Sequence, residues 1–211
     1  MESPKRIAAL VSGRGSNMVA IADACANGEI PGELVRVISN VPGAGALEFA
    51  AERGIACQTI SHRDYDSREA FEEALLDDLA VCQPDLVVLA GFMRILTERF
   101  IREYYGSLLN IHPSLLPKYP GLNTHQRAID AGDPEAGTTV HFVIPELDAG
   151  PAIVQAAVPI RHDDSADTLA ARVLKEEHRI YPLAVKWCVE GRVALRDGKL
   201  WKAPDATKDL E

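Results

Sequence analysis

The chain has 211 residues, enough for one domain with a substantial core. Apolar residues make up 47% of it and charged residues 25%, which is typical of globular proteins and excludes a disordered chain. The net charge of −9 argues against a nucleic-acid partner or an anionic membrane, but a small anionic ligand can still bind in a local pocket.

The first half of the sequence alternates short apolar runs with amphipathic segments. The apolar runs predict strands at 7–11, 33–40, 55–61, 84–91 and 107–112. The amphipathic segments predict helices at 17–26, at 45–54, after a capping box formed by Asp66 and Glu69, and at 97–105. Strands that alternate with helices over short connections predict βαβ units and a parallel sheet.

The second half changes character. Residues 137–160 contain two β-rich runs around a turn of Pro, Asp and Gly, with no helical pattern between them. This predicts an antiparallel pair added to the sheet. A long helix is predicted at 165–190, and Pro182 is expected to kink it.

The C-terminal part of the sequence predicts a small hairpin. Residues 192–201 have strand character and turn at Asp197 and Gly198. No repeat or linker interrupts the chain, so we predict one domain over residues 1–202 and a polar, frayed tail over 203–211. The predicted fold is α/β: a single-domain, Rossmann-like, mostly parallel sheet with helices on both faces and an antiparallel extension in the C-terminal half.

The cysteines bear on the cellular compartment. They lie far apart, without the spacing of a zinc or redox motif, and each falls in an apolar segment, which predicts core residues. The four are Cys25, Cys57, Cys82 and Cys188. Unpaired core cysteines indicate a reducing compartment. Because no apolar run is long enough for a signal peptide or a membrane span, we expect a cytoplasmic protein.

The stretch SGRGSN, residues 12–17, lies between the first predicted strand and the first helix. Backbone N–H groups at such a turn converge on an anion, and Gly13 and Gly15 allow close approach. The dinucleotide fingerprint is matched only in part. The second strand ends in Ser39 and Asn40 and not in an acidic residue, so a phosphate monoester fits better than a dinucleotide. A tight turn without a ligand is the alternative.

The stretch NIHPSLLPKYPG, residues 110–121, ends a strand on polar side chains and then stiffens with prolines. Asn110 and His112 leave the same face at the carboxyl end of the strand, where α/β sheets bind ligands. Asn can donate to a developing oxyanion, and His can give or take a proton. Asp148, in ELDAGP, could orient the imidazole. The alternatives are that His112 caps a turn and that Asp148 serves turn chemistry alone.

The stretch AGFMRIL, residues 90–96, follows a strand through a glycine. Met93, Ile95 and Leu96 either line a slot for a flat heterocycle or belong to the core, which their residue types favour. No cluster of His, Cys or carboxylates has metal spacing, and no nucleophile elbow is present.

Several of these stretches together resemble one enzyme superfamily. In order they are SGRGSN, DSREAF, LAGFMRIL, LLNIHPSLLPKYPGLNTH, GTTVHFVIPELDAGP and RVLKEEHRIYP. They resemble the folate-dependent formyltransferases over about residues 5–190, and most particularly the branch that acts on glycinamide ribonucleotide. The resemblance implies transfer of a formyl group from the co-substrate 10-formyltetrahydrofolate to the amine of that nucleotide, in purine biosynthesis and without a metal.

The resemblance also implies roles for individual residues. His112 would be the catalytic acid, Asn110 would hold the formyl oxygen, and Asp148 would keep His112 charged. The residues that bind the nucleotide would be Gly15, Ser16, Asn17 and Glu177. The residues on the folate side would be Arg68, Met93, Arg94, Ile95, Leu96, Asn110, Ile144, Pro145, Glu146, Leu147 and Asp148.

Two positions depart from the pattern of the family. Arg14 stands at a position that varies, so its charge either assists phosphate binding or faces solvent. Asn123 stands where some relatives carry histidine. No catalytic role is therefore assigned to Asn123, and only a supporting one to His125.

Rival functions stay open at this point. A formyltetrahydrofolate hydrolase would use the same three residues with water as acceptor, but its extra N-terminal domain has no room before the first strand. A methionyl-tRNA formyltransferase needs a basic surface, which the charge of −9 opposes. Two further alternatives are a formyltransferase with another amine acceptor and a non-catalytic nucleotide-binding module. The expected partners are small molecules, and a monomer and a homodimer are both compatible with the sequence.

Overall fold

The computed structural model describes residues 3–206, and its centre is a seven-stranded sheet. The strands are β1 (Lys5–Val11), β2 (Gly32–Ser39), β3 (Cys57–Thr59), β4 (Leu86–Leu89), β5 (Leu108–His112), β6 (Glu135–Phe142) and β7 (Ala152–Pro159). They lie in the order β3-β2-β1-β4-β5-β6-β7. The first five are parallel, and β6 and β7 are antiparallel to their neighbours. The predicted mostly parallel sheet with an antiparallel extension is confirmed.

Helices cover both faces of this sheet. Those in the described residues are α1 (Ser16–Ala26), α2 (Gly45–Glu52), α3 (Arg68–Cys82), α4 (Glu98–Glu103), α5 (Thr124–Asp130) and α6 (Ala166–Val189). Alternate β1 residues point to opposite faces. Ile7 and Ala9 pack in one core with α1, α2 and α6, whereas Ala8 and Leu10 pack in another with α3 and α4. Because its side chains alternate, this buried strand contributes to two hydrophobic layers, one on each face of the sheet.

Local details of the helices differ from the sequence prediction. Helix α3 begins one residue later than the predicted capping box, because Ser67 Oγ accepts from the N–H of Ala70 at 3.1 Å. The predicted pairing of Asp66 with Glu69 is therefore wrong. Helix α5 was not predicted, since seven largely polar residues carry too little apolar periodicity.

The long helix α6 is fixed to the sheet near its middle. The hydroxyl of the buried Tyr181 lies 3.0 Å from the carbonyl oxygen of Leu89 in β4 and 3.2 Å from that of Leu109 in β5. The helix continues through Pro182. Glu177, one turn before Tyr181, lies on the same helix face and is thereby positioned beside the sheet.

The C-terminal hairpin is confirmed. Strands β8 (Val193–Arg196) and β9 (Lys199–Lys202) pair antiparallel. Asp197 and Gly198 have φ of 49° and 73°, as a tight turn with two left-handed residues requires.

The beginning of the predicted polar tail is ordered against the domain. The N–H of Ala203 donates to the carbonyl of Arg192 at 2.8 Å, and Ala206 is buried in the main core. Ala203 and Ala206 are therefore held against the domain. The rest of the predicted tail, 207–211, lies outside the described residues.

The cysteines are free thiols. Cys82 is buried, and the other three are partly buried and pack against the main core. None of the helices described between residues 3 and 206 has the length and hydropathy needed to cross a membrane.

Candidate active site

The predicted site residues gather at the carboxyl edge of the sheet, where strand order reverses between β1 and β4. A hydroxyl links the loops at this edge. Ser12 Oγ accepts from the N–H of Met93 at 2.7 Å and donates to Asn40 Oδ1 at 2.6 Å. The loops after β1, β2 and β4 are thus held together. Sequence reasoning assigned no role to Ser12 or Asn40 in this linkage.

Asn110 and His112 lie on one face of β5, as their spacing predicted. His112 ends the strand and is only 6% exposed. Its Nε2 donates to the carbonyl oxygen of Tyr119 at 2.9 Å, and its Nδ1 lies 3.5 Å from Asp148 Oδ2. A ring that carries protons on both nitrogens can donate toward both oxygens. The arrangement therefore suits a group that holds and releases a proton.

Asp148 reaches His112 from the turn between β6 and β7. Its backbone is left-handed, with φ of 52°. Its Oδ2 accepts from the N–H of Gly121 at 2.9 Å, and its side chain is 7% exposed. The next turn residues close tightly, because a Cβ at Gly150 would collide with the carbonyl of Phe142. The sequence could not show that Asp148 meets His112, and the structure brings them together.

His141 is a further residue of this cluster, to which the sequence gave no role. It lies opposite Asn110 in the β5–β6 register. Its Nδ1 faces the carbonyl of Phe142 at 2.9 Å and must donate, so Nε2 carries a lone pair. That lone pair accepts from Asn110 Nδ2 at 3.3 Å. His141 thus fixes the orientation of the Asn110 amide. Burial, the largest influence, lowers the pKa of His141.

Burial of His141 predicts a pH-dependent loss of stability. Its folded pKa lies below the unfolded value of about 6.5. The unfolded chain therefore binds the proton more readily. Stability is complete above that value and falls as pH drops from there through the folded pKa. Burial lowers the pKa of His125 and His178 as well, in the same direction.

The measurement is denaturant unfolding at about pH 7.5 and about pH 5.5. We expect His141→Gln to lose less free energy of unfolding between these values than the wild type, by about 1 kcal/mol. The raised pKa of Glu177 acts in the opposite sense in both proteins, so it cancels in the comparison. Equal losses of unfolding free energy in the two proteins would contradict the lowered pKa of His141.

The proline-rich loop after β5 is held from beneath by polar side chains. Ser114 Oγ donates to the carbonyl of Lys118 at 2.6 Å. The N–H of Leu116 donates to Thr139 Oγ1 at 3.1 Å, and Gln155 Nε2 donates to the carbonyl of Leu116 at 2.8 Å. Side chains of β6 and β7 therefore position the loop whose Tyr119 carbonyl contacts His112.

The glycine-rich turn forms a candidate anion cradle. Gly15 has φ of 70° and precedes α1, whose N-terminus has no side-chain cap and no acidic residue in its first turn. Asn17 Nδ2 donates to Glu177 Oε2 at 2.6 Å, and Asn17 Oδ1 is buried without a partner. Burial, opposed by the hydrogen bond from Asn17, raises the pKa of Glu177. Four predicted nucleotide-binding residues are thus brought together: Gly15, Ser16, Asn17 and Glu177.

Some of the residues predicted for the folate side are exposed on loops. Met93 and Ile95 are 69% and 62% exposed, and Leu147 of the turn after β6 is 57% exposed. Large apolar side chains with this exposure are available to contact an apolar group of a ligand. Leu96 is 7% exposed and packs in the core with α3 and α4, so its side chain is not available to a ligand.

The remaining predicted folate-side residues frame the same edge. Arg68 is exposed at the start of α3, and Arg94 is exposed between Met93 and Ile95. Ile144 is partly buried, and Pro145 and Glu146 are exposed beside Leu147.

Comparison with known proteins decides the family. Residues 5–185 match the formyl transferase family. The protein belongs to the formyl transferase family. It is 51% identical over 195 residues to the phosphoribosylglycinamide formyltransferase of Escherichia coli (strain K12), covering 92% of each chain. The resemblance to the folate-dependent formyltransferases is thereby confirmed.

Solved structures of formyl transferases share the fold. Glycinamide ribonucleotide transformylase 1 from Symbiobacterium toebii has a TM-score of 0.92 and 42% identity, covering 96% of this chain and 95% of that one. A formyltetrahydrofolate deformylase from Pseudomonas syringae pv. tomato has a TM-score of 0.86 and 27% identity, and the match covers 94% of this chain and 65% of that one. The fold is therefore shared with a protein that is named for a different reaction.

Asn123 and His125 lie at the start of α5. Asn123 has φ of 57° and precedes α5 without a side-chain cap. His125 Nδ1 is buried without a partner, and burial lowers the pKa of this ring. Between residues 3 and 206 no three His, Cys, Asp or Glu side chains are grouped to hold a metal ion.

Proposed function

We propose that the protein transfers the formyl group of 10-formyltetrahydrofolate to the amine of glycinamide ribonucleotide, in purine biosynthesis. One observation carries the proposal. Asn110, His112 and Asp148 converge at the sheet edge that also holds the Asn17–Glu177 pair. A cluster suited to acyl transfer thus lies beside a cradle suited to a phosphorylated sugar. The 51% identity to the Escherichia coli enzyme supports the same substrates.

The chemistry needs no nucleophilic side chain, because the substrate amine is itself a nucleophile. Its nitrogen attacks the formyl carbon, and the carbonyl electron pair moves to oxygen to give a tetrahedral intermediate. Collapse restores the C=O bond and breaks the bond to N10 of the folate. The amine loses one proton and N10 gains one. The protein must therefore orient two substrates, stabilise an oxyanion and move a proton.

Asn110 is suited to bind the formyl oxygen. Its amide nitrogen carries two N–H donors, and His141 takes one of them. The second remains for an oxygen that becomes negative. Because His141 fixes the amide orientation, the donor is in place before the reaction begins.

His112 supplies the proton in this proposal. Its Nε2–H faces the neutral carbonyl of Tyr119. A formyl oxygen or intermediate with developing negative charge is a stronger acceptor and competes for that proton. Asp148 stabilises the charged ring through the other nitrogen.

The binding roles in this proposal are those that the resemblance to the family implies. The N-terminus of α1 holds the phosphate with Gly15, Ser16 and Asn17, and Glu177 faces the ribose. Arg68 and the loops 93–96 and 144–148 lie on the folate side. Leu96 contributes through its backbone, since its side chain is in the core.

The test is an assay with a control that omits the nucleotide. Purified protein is mixed with glycinamide ribonucleotide and a 10-formylfolate donor, and loss of the formyl group is followed by absorbance. Loss that requires the nucleotide supports transfer. Loss without it would identify a deformylase, and no reaction from folded protein would favour another acceptor or a binding module.

Location and assembly complete the proposal. A cytoplasmic location agrees with four free thiols and small-molecule substrates. Both a monomer and a homodimer are compatible with it, and the division into a domain over 1–202 and a tail over 203–211 stays a prediction.

A further inference from the structure

Arg14 lies in the anion cradle, between Gly13 and Gly15. It has no role in the proposed function. The loop that carries it is firmly seated, because the N–H of Ala46 donates to the carbonyl of Gly13 at 3.2 Å. Arg14 is exposed and makes no hydrogen bond or ion pair within the described residues. By contrast, Arg36, Arg102 and Arg172 each bind a carboxylate. A cation without a carboxylate partner, on a rigid loop, is available to a ligand.

A positive charge near the anion cradle would favour the binding of an anion there. The N-terminus of an 11-residue helix attracts an anion. The buried, unpartnered Oδ1 of Asn17 needs a donor, which a hydroxyl of the sugar that carries the phosphate would supply, whereas the phosphate itself only accepts. The carboxyl group of Glu177 stands against Asn17. A phosphate dianion placed here therefore meets a neighbouring acidic group. The α6 residues one turn from Glu177 are uncharged: Val173, Leu174, Ile180 and Tyr181.

Arg14 is the charged residue of the stretch 12–17. Two positions separate it from Ser16, whose N–H belongs to the first turn of α1. This position allows the guanidinium to approach a phosphate bound at that N–H. It offers planar, paired N–H donors that match phosphate oxygens.

We propose that Arg14 binds the substrate phosphate and sets the preference of the cradle for a phosphate dianion. The inference rests on the proposed function for the identity of the phosphate ester. It goes beyond that function by assigning a residue that the family resemblance left open between phosphate and solvent. Because the phosphate is remote from the formyl carbon, Arg14 acts in the ground state and the transition state alike.

The experiment compares Arg14→Gln and Arg14→Lys with the wild type. With the nucleotide varied, we expect Arg14→Gln to raise KM about tenfold and to change kcat less than about twofold, as loss of one charge-assisted contact requires. Arg14→Lys should recover part of the affinity. Arg102→Gln removes the same charge from the exposed Arg102–Glu98 pair on α4, and should leave KM unchanged.

A binding measurement separates this inference from the proposed function. Titration calorimetry with inorganic phosphate needs no turnover. We expect weaker phosphate binding by Arg14→Gln than by the wild type and by Arg102→Gln, even if the nucleotide proves not to be the acceptor. Equal phosphate affinity in all three proteins, or no measurable binding by the wild type, would overturn the role of Arg14.

Discussion

Replacement of His112 by alanine is expected to lower kcat about a thousandfold, since a positioned acid contributes about 10² to 10⁴ in rate. The ring is buried, and it links two parts of the site. Nε2 binds the Tyr119 carbonyl of the proline-rich loop, and Nδ1 faces Asp148.

The fold should survive this change. The sheet, its two cores and the hydrogen bonds of Thr139 to the loop do not depend on the imidazole. Loss of the ring leaves the Tyr119 carbonyl without its donor, which costs about 1–3 kcal/mol. Circular dichroism and thermal unfolding measure that cost. His162→Ala is the matched control, because that side chain is 97% exposed and its ion-pair partner is the adjacent Asp163.

Near wild-type turnover in a folded His112→Ala protein would contradict the acid role. A fall in kcat that tracks loss of folded protein would contradict it too. His112→Gln separates loss of proton transfer from loss of folded protein. Glutamine keeps a donor for the carbonyl of Tyr119 but cannot transfer a proton in the same way.

Local periodicity was enough to predict the strand that carries Asn110 and His112. Asn110 and His112 share a face because side chains alternate along a strand, and a buried apolar run before them fixed the strand itself. The glycine turn before α1 was predictable for the same reason, because its signal lies in adjacent residues.

Contacts between distant segments were not predictable in this way. His141 meets Asn110 through the register of β6 against β5, and no local pattern specifies which residues of two strands stand opposite. The prediction of the α3 cap was wrong for another reason. Asp66 and Ser67 are adjacent, both are residue types that cap helices, and each has a possible partner three residues later. A leucine such as Leu96 is equally suited to line a ligand slot and to pack in the core. Only the packing seen in the structure shows that it belongs to the core.

Replacement of Asp148 by asparagine is expected to lower kcat about a hundredfold, which corresponds to loss of a charge-assisted contact worth about 1.5–3 kcal/mol. Asparagine keeps the shape of the side chain and an oxygen for the N–H of Gly121. It removes the negative charge that faces His112 at 3.5 Å. The change therefore tests charge and not position.

Asparagine is also the substitution that the backbone tolerates best. Asp148 has φ of 52°, a left-handed conformation that Asn adopts readily and Ala does not. Asp148→Ala would add backbone strain to the loss of charge, and its kinetics would not separate the two. Asp197→Asn is the matched control, because Asp197 has φ of 49° in the β8–β9 turn, which belongs to a separate small sheet.

The double variant tests whether Asp148 acts through His112. If the carboxylate works by stabilising the charged ring, its removal should cost little once the ring is gone. We expect His112→Ala with Asp148→Asn to be about as slow as His112→Ala alone. Multiplied losses in the double variant would show that Asp148 acts independently, for example by holding Gly121 and the loop. Asp148 would then position that loop, and the charge of the ring would have to be maintained by other groups.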